Sequence, residues 1–153
     1  MTMTGKIVLP LIGGILAASL SWLPPHTAVA ADEEVDVIVN KANTIGELSA
    51  ADAKKIFMGD KSVWPSGKRI TILMLAQGQA ERSKVLHDIY KMAEGDYGKY
   101  FLQAAFTGRI TAPPKDVAGA AEMKVQVAGN PGAIGYLKKG DVDDSVKVVL
   151  KLP

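Results

Sequence analysis

The sequence contains no cysteine, which removes most routes to a reactive centre. Without thiols there is no disulfide framework, thiol nucleophile, thiolate zinc site or cysteine-linked lipid anchor. Only two histidines are present, His26 and His87, too few for a histidine-built metal site. No metal and no cofactor are therefore expected. An excess of one charge sign is also missing. The 18 Lys and Arg residues stand against 16 Asp and Glu, for a net charge of +2, and the two signs are mixed along the chain. A nucleic-acid binder would gather its basic residues on one element, so no nucleic-acid partner is expected. Apolar residues are plentiful, at 48% of 153 residues with 22% charged. That balance suits one globular domain and is too apolar for a disordered chain.

The N-terminus reads as an export signal. Lys6 carries the one positive charge of a short leader, and Ile7 to Leu23 then run without a charge. Pro24 and Pro25 break any helix, and Ala28-Val29-Ala30 has the small-x-small form of a cleavage site. A spanning helix needs about 20 apolar residues. This run is shorter and is interrupted by Pro10, Gly13 and Gly14. Cleavage is expected between Ala30 and Ala31. Residues 1–30 would leave as a signal peptide, with residues 31–153 as one periplasmic domain and no membrane anchor. The mature chain then has 123 residues and one histidine, His87.

The mature chain alternates strand and helix signals. Val35 to Val39 read as a strand. Ser49 caps a helix through Phe57, with Asp52 three residues on and Leu48 as its hydrophobic staple. Arg69 to Ala76 form a nearly continuous apolar strand, the pattern of a strand buried on both faces. A helix from Ala80 to Ala93 follows, and another after Gly95 stops near Gly108. Pro113-Pro114 opens a further helix to about Ala128, with proline in its favoured first turn. Ala133 to Leu137 and Val146 to Leu152 complete the order β-α-β-α-α-α-β-β, an α/β domain of three layers.

Few residues gather for chemistry. Ser83 and His87 share a helix face at i, i+4, but no third group in sequence orients the imidazole, so no enzyme is expected. Gly129 to Gly135 holds glycines without the lysine and hydroxyl of a phosphate loop, and reads as a turn entering a strand. Trp64, in a Gly/Pro loop, either forms a ligand platform or covers a core edge. The junction Gln77-Gly78-Gln79 to Arg82-Ser83 is the strongest candidate. A helix start offers free N–H groups and a partial positive charge to an anion. Gly78 permits close approach, and Gln79 and Ser83 are hydrogen-bond donors. Arg82 lies in the first helical turn, against the dipole and on the apolar side. Either a bound anion or a carboxylate from elsewhere in the fold would relieve that conflict.

With these elements placed, the chain resembles a known family. Ile56-Phe57-Met58-Gly59, Trp64-Pro65-Ser66-Gly67, Phe106-Thr107-Gly108 and Asn130-Pro131-Gly132-Ala133-Ile134-Gly135-Tyr136 occur in the order of the motifs of periplasmic phosphate-binding proteins of ABC transporters. It is similar to their short, PstS-like group. The resemblance implies a type 2 periplasmic-binding-protein fold, here a single lobe. It also implies a small oxyanion such as phosphate as ligand and an ABC permease as partner. Gln77, Gly78, Gln79, Arg82 and Ser83 stand where the family carries an Arg-x-x-x-Ser-Gly-Thr ligand loop, though the Ser-Gly-Thr triplet itself is missing. The Gly/Ser/Thr-rich first loop of the longer members is missing too, and 123 residues suit one lobe of a two-lobed clamp. Two functions follow as expectations. One is oxyanion binding for an ABC-type uptake system. The other is a non-transport interaction or accessory domain, which can be self-associating, with Trp64 and Tyr97 as its contact patch.

Overall fold

The structure, a computed structural model, describes residues 34–153; the signal peptide read in residues 1–30 lies outside them. Five strands make one sheet: β1 (Val35–Asn40), β2 (Thr71–Leu75), β3 (Lys115–Val117), β4 (Ala133–Lys138) and β5 (Val146–Leu152). Their order in space is β3-β2-β4-β1-β5. β2 is parallel to β3 and to β4. β1 is antiparallel to both β4 and β5. Four strands therefore run one way, with β1 alone reversed between β4 and β5.

Every residue of β1 is buried, as is β4 from Ala133 to Leu137. Both sheet faces must then be covered. Side chains alternate along a strand, so Ile38 and Asn40 share one face. Asn40 donates its amide to the carbonyls of Val127 and Ala128 at the end of α4 (Ala120–Gly129). Gly135, paired with Ile38, lies under Met123 of the same helix. The opposite face carries α1 (Ala50–Phe57), α2 (Ala80–Val85) and α3 (Glu94–Phe106). There Tyr90 donates its hydroxyl to the Met74 sulfur, and Phe57, Tyr97 and Phe101 meet the Tyr90 ring edge to face. The result is the expected three-layer α/β domain.

Local signals explain most boundaries. Ser49 caps α1 by accepting from the Asp52 N–H at 3.0 Å, and its hydroxyl donates back to the Asp52 carboxylate at 2.8 Å. Two expectations change. The single helix expected over Ala80 to Ala93 is α2 followed by a wide π-helical turn, Leu86–Tyr90, that ends at Lys91 with φ 57°. The widened turn buries Leu86, Ile89 and Tyr90 together. The helix expected from Pro113-Pro114 begins only at Ala120, because Lys115–Val117 pair with Leu73–Leu75 as β3. A residue before proline is pushed toward extended backbone, and here that preference outweighs proline's liking for a first helical turn. The element order is thus β-α-β-α-α-β-α-β-β.

The Asn130 to Tyr136 motif proves to be a packing device. A Cβ at Gly132 would lie 2.2 Å from the Arg69 carbonyl oxygen. That space lets β4 enter the sheet beside β2, and the buried Trp64 closes it by donating its indole N–H to the Gly132 carbonyl at 3.0 Å. Tyr136 at the other end of β4 accepts the Leu75 backbone N–H at 3.0 Å. Trp64 therefore covers a core edge and is no ligand platform.

Candidate functional site

The strand order reverses between β2 and β4: the chain leaves β2 toward β3 on one side and returns as β4 on the other. In open α/β sheets the crevice at the carboxyl ends of such strands is where ligands bind. Three chain segments meet there. The β2–α2 turn brings Gln77, Gly78 and Gln79, the end of β4 brings Lys138 and Lys139, and Glu34 precedes β1. Lys138 lies 3.8 Å from Glu81 in the first turn of α2, and Lys139 pairs with Glu34 at 2.5 Å. Gly78 holds φ +90°, a conformation that L side chains rarely adopt, and a Cβ there would point into open space. Gln79 provides no side-chain cap for α2, and Gly119 provides none for α4. The opening N–H groups of both helices thus face this edge without a side-chain acceptor from their cap residues.

Arg82 sits beneath that turn and is 2% exposed. Its Nη1 donates to the Leu75 carbonyl at 2.7 Å and to Asp116 at 2.8 Å. Its Nε and Nη2 fork onto the Glu94 carboxylate at 2.9 and 2.6 Å. The guanidinium carbon stands 5.0 Å from the Tyr97 ring centre. Burial opposes the Arg82 charge, but the hydrogen bonds and charges of Glu94 and Asp116 more than offset it and push the pKa up. The same bond from Arg82 pulls the Glu94 pKa below its ordinary value, with the Gln77 amide adding to the effect. Of the two partners that the sequence leaves open for Arg82, the structure supplies the carboxylates. One side chain ties the end of β2, the start of α3 and β3 together.

The remaining sequence candidates divide. Gln77 and Arg82 converge on Glu94, and Gln79 begins α2. Ser83 turns its hydroxyl to the Gln79 carbonyl at 3.4 Å and lines an open cleft of about 460 Å³ with His87, Lys91, Met92 and Glu94. His87 is well exposed, and its Nδ1 lies 2.7 Å from Asp88, the neighbouring carboxylate, in place of Ser83. Tyr97 is buried, so it joins Trp64 in the core and neither forms a contact patch. Among the described residues no group of three or more His, Asp or Glu is placed to hold a metal ion, and no helix is long and apolar enough to cross a membrane. Sequence reasoning missed Glu94, Asp116 and Lys138. The signal for the first two was Arg82 itself, a cation on an apolar helix face that needed acidic partners.

No family model matches the sequence, and no curated protein matches it. Solved structures do share the fold. A phosphate ABC transporter substrate-binding protein of Clostridium perfringens, determined with bound phosphate, superposes with a TM-score of 0.60 at 24% identity. PstS of Borrelia burgdorferi superposes at 0.57 with 15% identity, and an ABC-type phosphate transport receptor of Vibrio cholerae at 0.51 with 20% identity. Each comparison covers 75% of this chain but only 43–46% of the other. The chain therefore spans less than half the length of the structures it matches, and the similarity supports the periplasmic-binding-protein-like fold.

Proposed function

We propose that this chain is an exported solute-binding module that holds phosphate or a related small oxyanion and serves an ABC-type permease from the periplasm. The observation that carries this reading is the β2–α2 turn at the switch point. Gly78 keeps the backbone open there, and the first N–H groups of α2 receive no side-chain cap from Gln79. Such groups bind oxyanions through fixed dipoles. Gln77, Gly78, Gln79 and Ser83 form the proposed contact set. Arg82 acts from below as a positioning residue, because its charge is already shared between Glu94 and Asp116. The fold likeness to phosphate receptors supports the same class of ligand.

Isothermal titration calorimetry of the full chain with inorganic phosphate, sulfate and arsenate tests the reading. Saturable heat with at least one anion is expected, weakened when Gln79→Ala and Ser83→Ala are combined. No heat with any of the three at millimolar concentration would overturn it. Arg82→Ala is not the variant to use, since it removes an interior tie as well as a charge.

A second reading, an interaction or accessory domain, draws support from a different place. Leu102 and Phe106 on α3 are large, apolar and exposed. A full chain that binds no oxyanion but self-associates through α3 would favour this reading over the first.

A further inference from the structure

A small niche opens at the amino ends of β2 and β3. Ile70, Ile72 and Ile110 give it an apolar lining, and Gly59 closes on Ile110 so tightly that a Cβ would lie 2.6 Å from the Ile110 Cγ2. Its polar lining comes from Lys61, Ser62, Arg69 and Thr111, and no carboxylate is among the lining residues. All four side chains are hydrogen-bond donors. None of them has a hydrogen bond or an ion pair to another described residue. Asp60, beside Lys61 in sequence, is taken up by Arg109 at 2.9 Å. The niche sits at the foot of a hairpin. The Ile70 N–H donates to the Ser62 carbonyl and the Trp64 N–H to the Lys68 carbonyl, each at 2.8 Å, which sets Val63 opposite Arg69. Trp64 anchors the hairpin in the core, while Val63 and the run from Pro65 to Arg69 stay exposed. Lys54 and Lys55 already complement the carboxyl end of α1. Lys61, Lys68 and Arg69 meet no opposite charge among the described residues.

We propose that this niche receives the phosphate headgroup of an anionic phospholipid, with the hairpin resting on a membrane surface. A site lined by two cations and two hydroxyls, with no acceptor side chain among them, is complementary to an anion. Its volume of about 40 Å³ suits a phosphate group, since a single water needs about 10–15 Å³. An organic body has no room inside and must stay outside the mouth. In a lipid that body is the bilayer, and the hairpin is made to lie against it. Val63 and Pro65 beside the niche suit the apolar side of the interface, while Lys68 and Arg69 suit its anionic headgroups. Free phosphate would match the niche but leave Val63 and Pro65 in water. Three unanswered cations near an anionic surface should raise binding about a hundredfold over a neutral one. The niche lies at the opposite end of the sheet from the β2–α2 turn, so a docked protein keeps that turn away from the membrane. The proposal is independent of the oxyanion reading.

Vesicle co-sedimentation tests it, using the protein recovered from cells that express the full chain. Vesicles of phosphatidylcholine alone are compared with vesicles that also contain phosphatidylglycerol, and the ratio of the two affinities is the readout. A ratio of about a hundred is expected at low salt, falling as salt is added. Lys61→Glu, Lys68→Glu and Arg69→Glu together should abolish the gain. Lys41→Glu, Lys91→Glu and Lys99→Glu together change the net charge equally at other places and should keep most of it. Ser62→Ala with Thr111→Val removes two donors and no charge, and should lower the ratio severalfold. An unchanged urea unfolding midpoint shows that each variant is folded. Equal affinity for both vesicles would overturn the proposal. So would equal losses in the two triple variants, or a ratio indifferent to the loss of both hydroxyls. Binding of inorganic phosphate or of polyglutamate without any preference for the anionic vesicles would overturn the lipid assignment.

Discussion

At the amino ends of β2 and β4, a methyl group on Gly132 would lie 2.2 Å from the Arg69 carbonyl oxygen, and the Trp64 indole seals the approach. At the carboxyl ends of the same strands, Arg82 spreads hydrogen bonds over Leu75, Glu94 and Asp116. One end of the sheet is fitted by shape and the other by charge. Close packing leaves no freedom for movement, because an interior at crystal-like density transmits any misfit to its neighbours. Ion pairs whose acidic partners reach solvent, as Glu94 and Asp116 do, can exchange partners at modest cost. An oxyanion site at the carboxyl end and a rigid closure at the amino end are thus consistent with the same sheet.

The comparison breaks first at Gly132. Gly132→Ala drives a Cβ into backbone, which cannot yield as a flexible side chain would. A loss of about 3 kcal/mol is expected, at the upper end of overpacking costs. Urea unfolding measures it, and a loss under about 0.5 kcal/mol would show that the entry to β4 is not shape-limited.

Arg82→Ala comes next. It leaves the Leu75 carbonyl and one side of two carboxylates unpartnered, and about 2–3 kcal/mol should be lost. Arg82→Lys should recover little, since a single ammonium cannot fork onto Glu94 while also reaching Asp116 and Leu75. The two ends should also part in their salt response. About 1 M salt reduces the Debye length to about 3 Å. It should shrink the Arg82 effect and leave the Gly132 effect as it was. Equal salt responses would remove the distinction between a shape-fitted and a charge-fitted end.

A smaller effect is expected at Trp64. Trp64→Phe keeps an aromatic ring in place but deletes the N–H donor to Gly132. The Gly132 carbonyl still accepts from the Thr71 N–H at 3.0 Å, so it is not orphaned. The loss should be about 1 kcal/mol beyond the reduced ring area, read again from urea unfolding. A much larger loss would mean that the indole hydrogen bond, and not the fit of the ring, closes this end.

Much of this contrast was legible in the sequence. The apolar strand over Arg69 to Ala76 announced a strand buried on both faces, and Ser49 announced the start of α1. Arg82 announced that an acidic group or an anion had to meet it. What sequence could not supply was which acidic group. Glu94 is 12 residues away and Asp116 is 34 away, and only the fold of α3 and β3 brings them to one guanidinium. β3 itself was hidden, because Lys115-Asp116-Val117 has no strand pattern and pairs only because β2 presents an open edge. The glycines of the Asn130 to Tyr136 motif read in sequence as a turn entering a strand. Their reason is the close approach of Arg69 and Met123, which no local pattern encodes.

The least effect, and the one of opposite sign, is expected at Asp36. Its side chain is buried near the carboxyl end of β4, and one carboxylate oxygen has no hydrogen-bond partner. Burial raises its pKa above the ordinary 3.8, against the pull of Lys151. A group with a raised folded-state pKa contributes stability below its unfolded value, and that contribution is lost as pH rises through the folded value. Glu34 and Glu94 act the other way: their lowered values stabilise the fold above the ordinary carboxylate range and fail as acid is added. The wild-type curve sums both, so Asp36 must be isolated by difference. Asp36→Asn should gain stability relative to the wild type as pH rises from about 4 toward neutrality, by less than Trp64→Phe loses. Urea unfolding of the pair across that range reads the gap. A gap that stays constant or narrows with rising pH would show that the ionised carboxylate is at ease in the sheet. The charge-fitted end would then include Asp36, which the present geometry leaves outside it.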